Sequence, residues 1–260
     1  MSPHSNIVRQ KFLEKVYQPL LHWFLNDIDK LAWEAPGYLA SNIHLAHLRD
    51  GNELVPDKQP QAAMLNKWRL RFAGRFFLFA GTLSNQQGLP ILLEAVAGSA
   101  MTVLIVGDGP EQADLKQQAR NLRLNNVHFL GALPEEDKVA LLSLCYGLLF
   151  PSHVGSDGDD ISLLEGAMFA KPMISSELLG EMDGDASYDN IVRETGLLVP
   201  SEDVLALRAA MSRIWDQPEL AERLGKFAQA RYQTVFRAEM MAKNYVRLYV
   251  DVISGDAKAP

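Results

Sequence analysis

From about residue 75 the chain settles into a rhythm of short runs that are apolar throughout, separated by longer stretches with helical spacing. "RFFLFAG" (75–81), "MTVLIVGDGP" (101–110), "NVHFLG" (126–131), "YGLLFPS" (146–152), "KPMISS" (171–176) and "TGLLVPS" (195–201) read as six strands. Between them, residues 89–97, "EQADLKQQARNL", "PEEDKVALLSLC" and "SLLEGAMFA" read as helices, and residues 202–253 read as further helices. Strands without a polar face, alternating with helices, predict an α/β fold with a parallel sheet covered on both sides. In such a sheet ligands bind at the carboxyl ends of the strands, which directs attention to 81–88, 107–110, 131–134, 151–161 and 175–185.

The first 58 residues have a different pattern. Leu13, Val16, Leu20, Phe24 and Ile28 recur at helical spacing over residues 10–28, with Pro19 set to kink or end the first part. "KLAWE" predicts a short strand, residues 37–48 a second helix, and the polar, Pro-bearing stretch 57–66 a linker.

Charge and composition narrow the function. Twenty-five Lys and Arg against 32 Asp and Glu give a net charge of −7, the wrong balance for a general nucleic-acid binder. The single Cys145 excludes an intrachain disulfide, suits a reducing compartment and reads as a small buried hydrophobe. "MSPHSNIVRQKF" has no apolar core of a signal peptide, and no apolar run spans a bilayer, so a cytoplasmic location is expected. The basic-aromatic start of the first helix (Arg9, Lys11, Phe12, Lys15, Tyr17) leaves peripheral contact with the inner membrane face open.

The densest chemistry is "SDGDDISLLEGAMFAKP" (156–172). A calcium loop counted from Asp157 fails, because its sixth and twelfth positions are Ser162 and Met168 rather than Gly and Glu. Asp157–Asp160 as helix caps, with Glu165 a solvated helix residue, accounts for the same residues. "VGDGPEQADL" holds Gly107 and Gly109 but lacks the third glycine and the following acid of a dinucleotide fingerprint. It reads as a tight strand-to-helix turn. His44 and His47 stand at helical spacing without a third ligand, the remaining histidines are scattered, and no metal site is indicated.

Asp157 and Glu165 stand eight apart around a loop-to-helix junction that follows "FPS". With "LLEGAMFAKPMISSE", this resembles the E-x7-E region of the retaining family-four glycosyltransferases of the GT-B fold, and among them bacterial O-antigen mannosyltransferases. The resemblance continues in order through "LFAGTLSNQQGLPILLEAV", "LIVGDGPEQADLKQQA", "VHFLGALPEEDKVALL", "LLFPS" and "ETGLLVPSEDVLALRAAM", covering most of residues 75–253.

The resemblance implies a Rossmann-like parallel sheet that forms the C-terminal, donor-binding domain of a GT-B fold, with a partial N-terminal domain. Residues 1–58 would be the end of an acceptor-side domain, 59–235 the donor domain, and 236–260 a crossover helix and tail. It implies that Glu165 receives ribose hydroxyls, that Asp157 faces the donor sugar as the other catalytic-site carboxylate, and that "ALPEED" (132–137) lies near the base. Gly81, Ser84, Gln87, Gly107, Gly109 and Leu164 would complete the lining around the nucleotide. Ionised carboxylates are pure acceptors and suit vicinal hydroxyls. The donor would be a nucleoside-diphosphate sugar, with GDP-mannose the candidate, and no metal or other cofactor is implied. A glycan or lipid-linked acceptor and a complementary N-terminal chain are the implied partners, and surface-polysaccharide synthesis the implied role.

The family's phosphate loop reads Gly-x-Leu-Arg-x-x-Lys-Gly, whereas this chain has "GTLSNQQG" (81–88). Ser84 stands at the Arg position and Gln87 at the Lys position, so both cations that would meet the diphosphate are missing. This departure, with the short N-terminal part, supports a second expectation: a non-catalytic remnant, or a subunit that needs a partner chain.

Overall fold

The apolar runs at the centre of the sheet become strands with both faces enclosed, whereas the run 127–131 at its edge is half-buried throughout. The computed structural model describes residues 58–152, 159–176 and 195–236, and every structural statement here concerns those residues. Six strands make one sheet: β1 (Phe76–Ala80), β2 (Thr102–Val106), β3 (Val127–Gly131), β4 (Gly147–Phe150), β5 (Met173–Ser176) and β6 (Gly196–Val199). All pairings are parallel and the spatial order is β3-β2-β1-β4-β5-β6. The chain winds outward from β1 to β3, then returns to β1's other edge at β4. The switch point therefore lies between β1 and β4, where the loops after neighbouring strands diverge and leave a crevice.

Seven α-helices accompany the sheet: α1 (Ala62–Arg71), α2 (Leu89–Val96), α3 (Gln112–Asn121), α4 (Glu135–Leu144), α5 (Asp159–Met168), α6 (Val204–Asp216) and α7 (Pro218–Arg231). Strand side chains alternate between the faces. Phe76, Leu78, Ala80, Leu104, Leu148 and Phe150 pack with Trp68 of α1, Ala140 and Leu141 of α4, and Leu164 and Ala167 of α5. On the other face Phe77, Phe79, Val103, Ile105 and Leu149 pack with Leu92 and Leu93 of α2, Leu115 of α3, and Leu207 and Met211 of α6. That is why β1 has no polar position: each of its five residues enters one of two apolar layers. Each fully buried Phe or Leu there contributes about 1.5–3 kcal/mol of transfer free energy.

The sequence reading needs correcting at three places. Residues 57–66 do not form a simple linker, because α1 starts at Ala62. The helix is secured by Trp68, which is 1% exposed, and by Met64 and Leu65 packed against the same layer. Helix α5 begins at Asp159, ahead of the expected "SLLEGAMFA". Within the further helices expected over 202–253, the last one described is α-helical to Arg231 and continues as a π turn, Tyr232–Phe236. The elements expected over residues 10–48 and beyond 236 lie outside the described residues.

Candidate functional site

Backbone hydrogen bonds lace together the loops after the first three strands. Gly81 N–H donates to the Val106 carbonyl at 3.0 Å, Leu83 N–H to Asp108 at 2.9 Å, and Gly107 N–H to Gly131 at 2.9 Å. The approach is so close that a Cβ on Gly109 would stand 2.4 Å from the Leu83 carbonyl oxygen. Gly107, with φ of +134°, is held as tightly against Gly81. The two glycines of "VGDGP" thus have a packing reason of their own.

In the loop after β1, the Ser84 carbonyl accepts from Gln87 N–H at 3.1 Å and closes a 3-10 turn over Asn85–Gln87. Gly88 adopts the left-handed conformation (φ 63°) and starts α2 with no side-chain cap. Pro90 in its first turn carries no N–H, and the Ile91 and Leu92 amides already donate to the Gly88 carbonyl at 3.1 and 3.2 Å. Gln87 is only 6% exposed and its Oε1 has no hydrogen-bond partner. Ser84 is half-buried, and no Lys or Arg occurs in 81–88.

Glu165 sits on α5, which presses against β4 at Gly166, where a Cβ would meet Leu148 Cδ1 at 2.2 Å. The glutamate is 1% exposed, so it is not a solvated helix residue. Its Oε1 accepts from Lys138 Nζ of α4 at 3.0 Å and from Lys58 Nζ. Its Oε2 is buried with no partner. Lys58 also bonds Glu135, and Lys138 lies 3.3 Å from Glu135 Oε2. Burial alone would lower the Lys58 pKa, but hydrogen bonds and charge from Glu135 and Glu165 outweigh it and raise it. Burial alone would raise the Glu135 pKa, but Lys58 and Lys138 hold it below the ordinary value.

The expected residues divide accordingly. Glu165 is a buried acceptor, Leu164 is 6% exposed and belongs to the apolar layer over β4, and Gly81, Ser84, Gln87, Gly107 and Gly109 share one group of strand-end loops. Asp157, His153, His44 and His47 lie outside the described residues. Within "ALPEED", Asp137 faces inward and accepts from Trp68 Nε1 and Lys67 Nζ, each at 2.7 Å. It ties α1 to α4. Among the described residues no group of three or more His, Cys, Asp or Glu is placed to hold a metal ion. Lys58 and Lys138 were not foreseen, and Glu135 was expected only as part of "ALPEED" near the base. Glu135 and Lys138, three apart on a helix, carried a weak signal. Lys58 carried none.

A parallel sheet in this order, with glycine-laced loops at the strand ends, defines a Rossmann-like domain of the doubly wound class, here the C-terminal domain of GT-B glycosyltransferases. The chain belongs to the family described as "Glycosyl transferases group 1", whose model matches residues 62–231. It is 45% identical over 242 residues to the D-rhamnosyltransferase WbpZ of Pseudomonas aeruginosa, covering 90% of this chain and 62% of that protein. It is 38% identical over 256 residues to the O-antigen chain mannosyltransferase C of Escherichia coli, covering 96% of this chain and 68% of that protein. The chain therefore spans about two thirds of the length of these relatives. Among solved structures, the C-terminal domain of the group 1 protein LpcC from Francisella tularensis superposes with a TM-score of 0.57 at 13% identity, covering 70% of this chain and 98% of that one. Anabaena HepE in complex with UDP gives 0.64 at 20% identity, covering 84% and 63%. At these identities the likeness speaks for the fold.

Proposed function

We propose that this chain carries the donor-binding half of a retaining hexosyltransferase in O-antigen or related surface-polysaccharide synthesis. The observation that carries the proposal is Glu165: a buried carboxylate with one oxygen anchored by lysines and the other without a donor. Such an oxygen suits two adjacent hydroxyls, as on ribose. The diphosphate would lie along Gly81, Ser84, Gln87 and the uncapped start of α2, near Gly107 and Gly109, with Leu164 behind it. The Ser84 hydroxyl and the Gln87 amide are the side-chain donors that this loop has for an anion. Asp157 would face the hexose. GDP-mannose is the proposed donor, in keeping with the mannosyl and rhamnosyl activities named for the two relatives.

In the transfer the bond from the anomeric carbon to the phosphate oxygen breaks and one to an acceptor hydroxyl oxygen forms. The nucleoside diphosphate leaves with the bonding electrons, and the acceptor's proton passes to it or to solvent. The acceptor is proposed to be a glycan or lipid-linked glycan held by an N-terminal domain or a complementary chain, on the cytoplasmic side of the membrane. Among the described residues no helix is long and apolar enough to cross a bilayer.

A second reading, a nucleotide-binding subunit without turnover of its own, is favoured by the absence of any cation in 81–88. Loss of one group that stabilises developing negative charge commonly costs about 10²–10³ in rate.

The test is calorimetric titration of the full chain with GDP, UDP and ADP, followed by assay of GDP release from GDP-mannose. One nucleotide should bind saturably, and Glu165→Gln should weaken it about 10- to 100-fold, the worth of hydrogen bonds to a charged group. Binding without release would favour the second reading. No binding of any of the three at millimolar concentration would overturn both.

A further inference from the structure

We infer that Lys138 and Lys58 are positioning residues, holding the Glu165 carboxylate so that its Oε2 alone is offered to the paired hydroxyls of a ligand. This rests on the reading of the site just given and names residues that act through Glu165 rather than on the nucleotide.

The argument is one of asymmetry. A carboxylate has two acceptor oxygens, so two lysines facing it can each take one of their own. Here both ammonium groups converge on Oε1, and Oε2 is left buried and unpartnered. A buried acceptor without a donor is costly and calls for an explanation. A glutamate has three side-chain torsions, so it does not choose one oxygen without help. The help comes from outside its own helix: Lys138 belongs to α4, and Lys58 precedes α1.

Both lysines are themselves fixed. Glu135 bonds Lys58 and lies 3.3 Å from Lys138 Nζ. The Lys58 backbone N–H also reaches Met168 Sδ at 3.2 Å, which anchors that residue on α5 one turn beyond Glu165. Two cations and two carboxylates cancel, so the cluster aims an acceptor without adding net negative charge beside a diphosphate. The ligand class selected is a vicinal diol on an anionic carrier.

The test compares each ribonucleoside diphosphate (GDP, UDP, ADP) with its 2′,3′-dideoxy counterpart, on wild type, Lys138→Met, Lys58→Met and Lys138→Arg. The readout is the ratio of the two affinities. Thermal melting checks that each variant is folded, and Lys138→Arg keeps a donor in reach should Lys138→Met fail to fold. For the nucleotide that binds, wild type should prefer the ribose form by about 10- to 100-fold, because hydrogen bonds to a charged group are being lost. In Lys138→Met and Lys58→Met that preference should fall to about threefold or less, with dideoxy affinity nearly unchanged. Lys138→Arg should restore most of the preference. Equal weakening of both forms would make the lysines merely structural and overturn the inference while leaving the site reading intact. Failure of wild type to bind any ribonucleotide would overturn both.

Discussion

A Cβ on Gly107 would stand 1.8 Å from the carbonyl oxygen of Gly81, and the Gly107 backbone has a φ of +134°. Two independent costs therefore attend any side chain there, a clash with backbone that cannot rotate away and a strained dihedral. Gly107→Ala should destabilise the chain by about 3 kcal/mol or more. Gly131 is the control, since its φ is +75° but nothing lies within 4 Å of an added Cβ. Gly131→Ala should cost only the left-handed strain, about 1–2 kcal/mol. Urea unfolding of the two variants measures the difference, and similar losses would contradict the packing role given to Gly107.

Asp137 gives the acid side of the stability curve a specific source. The hydrogen bond from Lys67, aided by the Trp68 indole and opposed by burial, holds its pKa below the ordinary 3.8. A depressed folded value contributes stability that is present above the unfolded pKa and is lost as pH falls through the folded one. The loss should therefore begin near pH 4 and deepen below it. Asp137→Asn should lower stability at neutral pH by about 1–3 kcal/mol and make the acid limb shallower. Denaturant midpoints from pH 7 down to pH 3 decide it: parallel curves for wild type and variant would remove Asp137 from the acid response.

The strands could be read from the sequence because a strand buried on both faces announces itself as a short apolar run, as "FFLFA" of β1 does. Helix α1 escaped that reading. Its core contact is concentrated in Trp68, while Lys67, Arg69, Leu70 and Arg71 are exposed. Met64, Leu65, Trp68 and Phe72 do recur at helical spacing and pack in one layer, but the polar and Pro-bearing residues just before them masked that period. Glu165 stood out through its place in a family pattern. The burial of its carboxylate and the choice of Lys58 and Lys138 as partners depend on pairings 107 and 27 residues apart in sequence. No local spacing encodes such pairings. Asp137 shows the converse, since the position of "PEED" suggested a ligand contact and the side chain instead holds two helices together.

Cys145 offers a native reporter of unfolding. It follows α4, is 2% exposed, and burial pushes its thiol pKa up to about 12. The thiolate is the reactive form, so the native chain should resist a disulfide reagent at pH 8. Labelling in urea should follow the unfolding transition seen by circular dichroism. Rapid labelling without denaturant would mean that the end of α4 opens locally, contrary to the close packing of Leu141 and Leu142 beside it.

Restoring the missing cations separates a decayed phosphate loop from one that never faced an anion. Gln87 is 6% exposed and its Oε1 lacks a partner, whereas Ser84 is half-buried. Gln87→Lys places an ammonium in that enclosure, and with no anion present this should lower stability by about 1–3 kcal/mol. Ser84→Arg should stay within about 0.5 kcal/mol of wild type. A nucleoside diphosphate would supply the missing counter-charge. The double variant should therefore bind the selected nucleotide at least about tenfold more tightly, through charge-assisted hydrogen bonds. It should also gain more thermal stability from that nucleotide than wild type does. The gain should shrink between low and moderate salt, because part of it is Coulombic. Titration calorimetry and thermal melting of both chains supply the comparison. A double variant that is destabilised but binds no better would place the diphosphate away from 81–88 and leave the role given to Glu165 untouched.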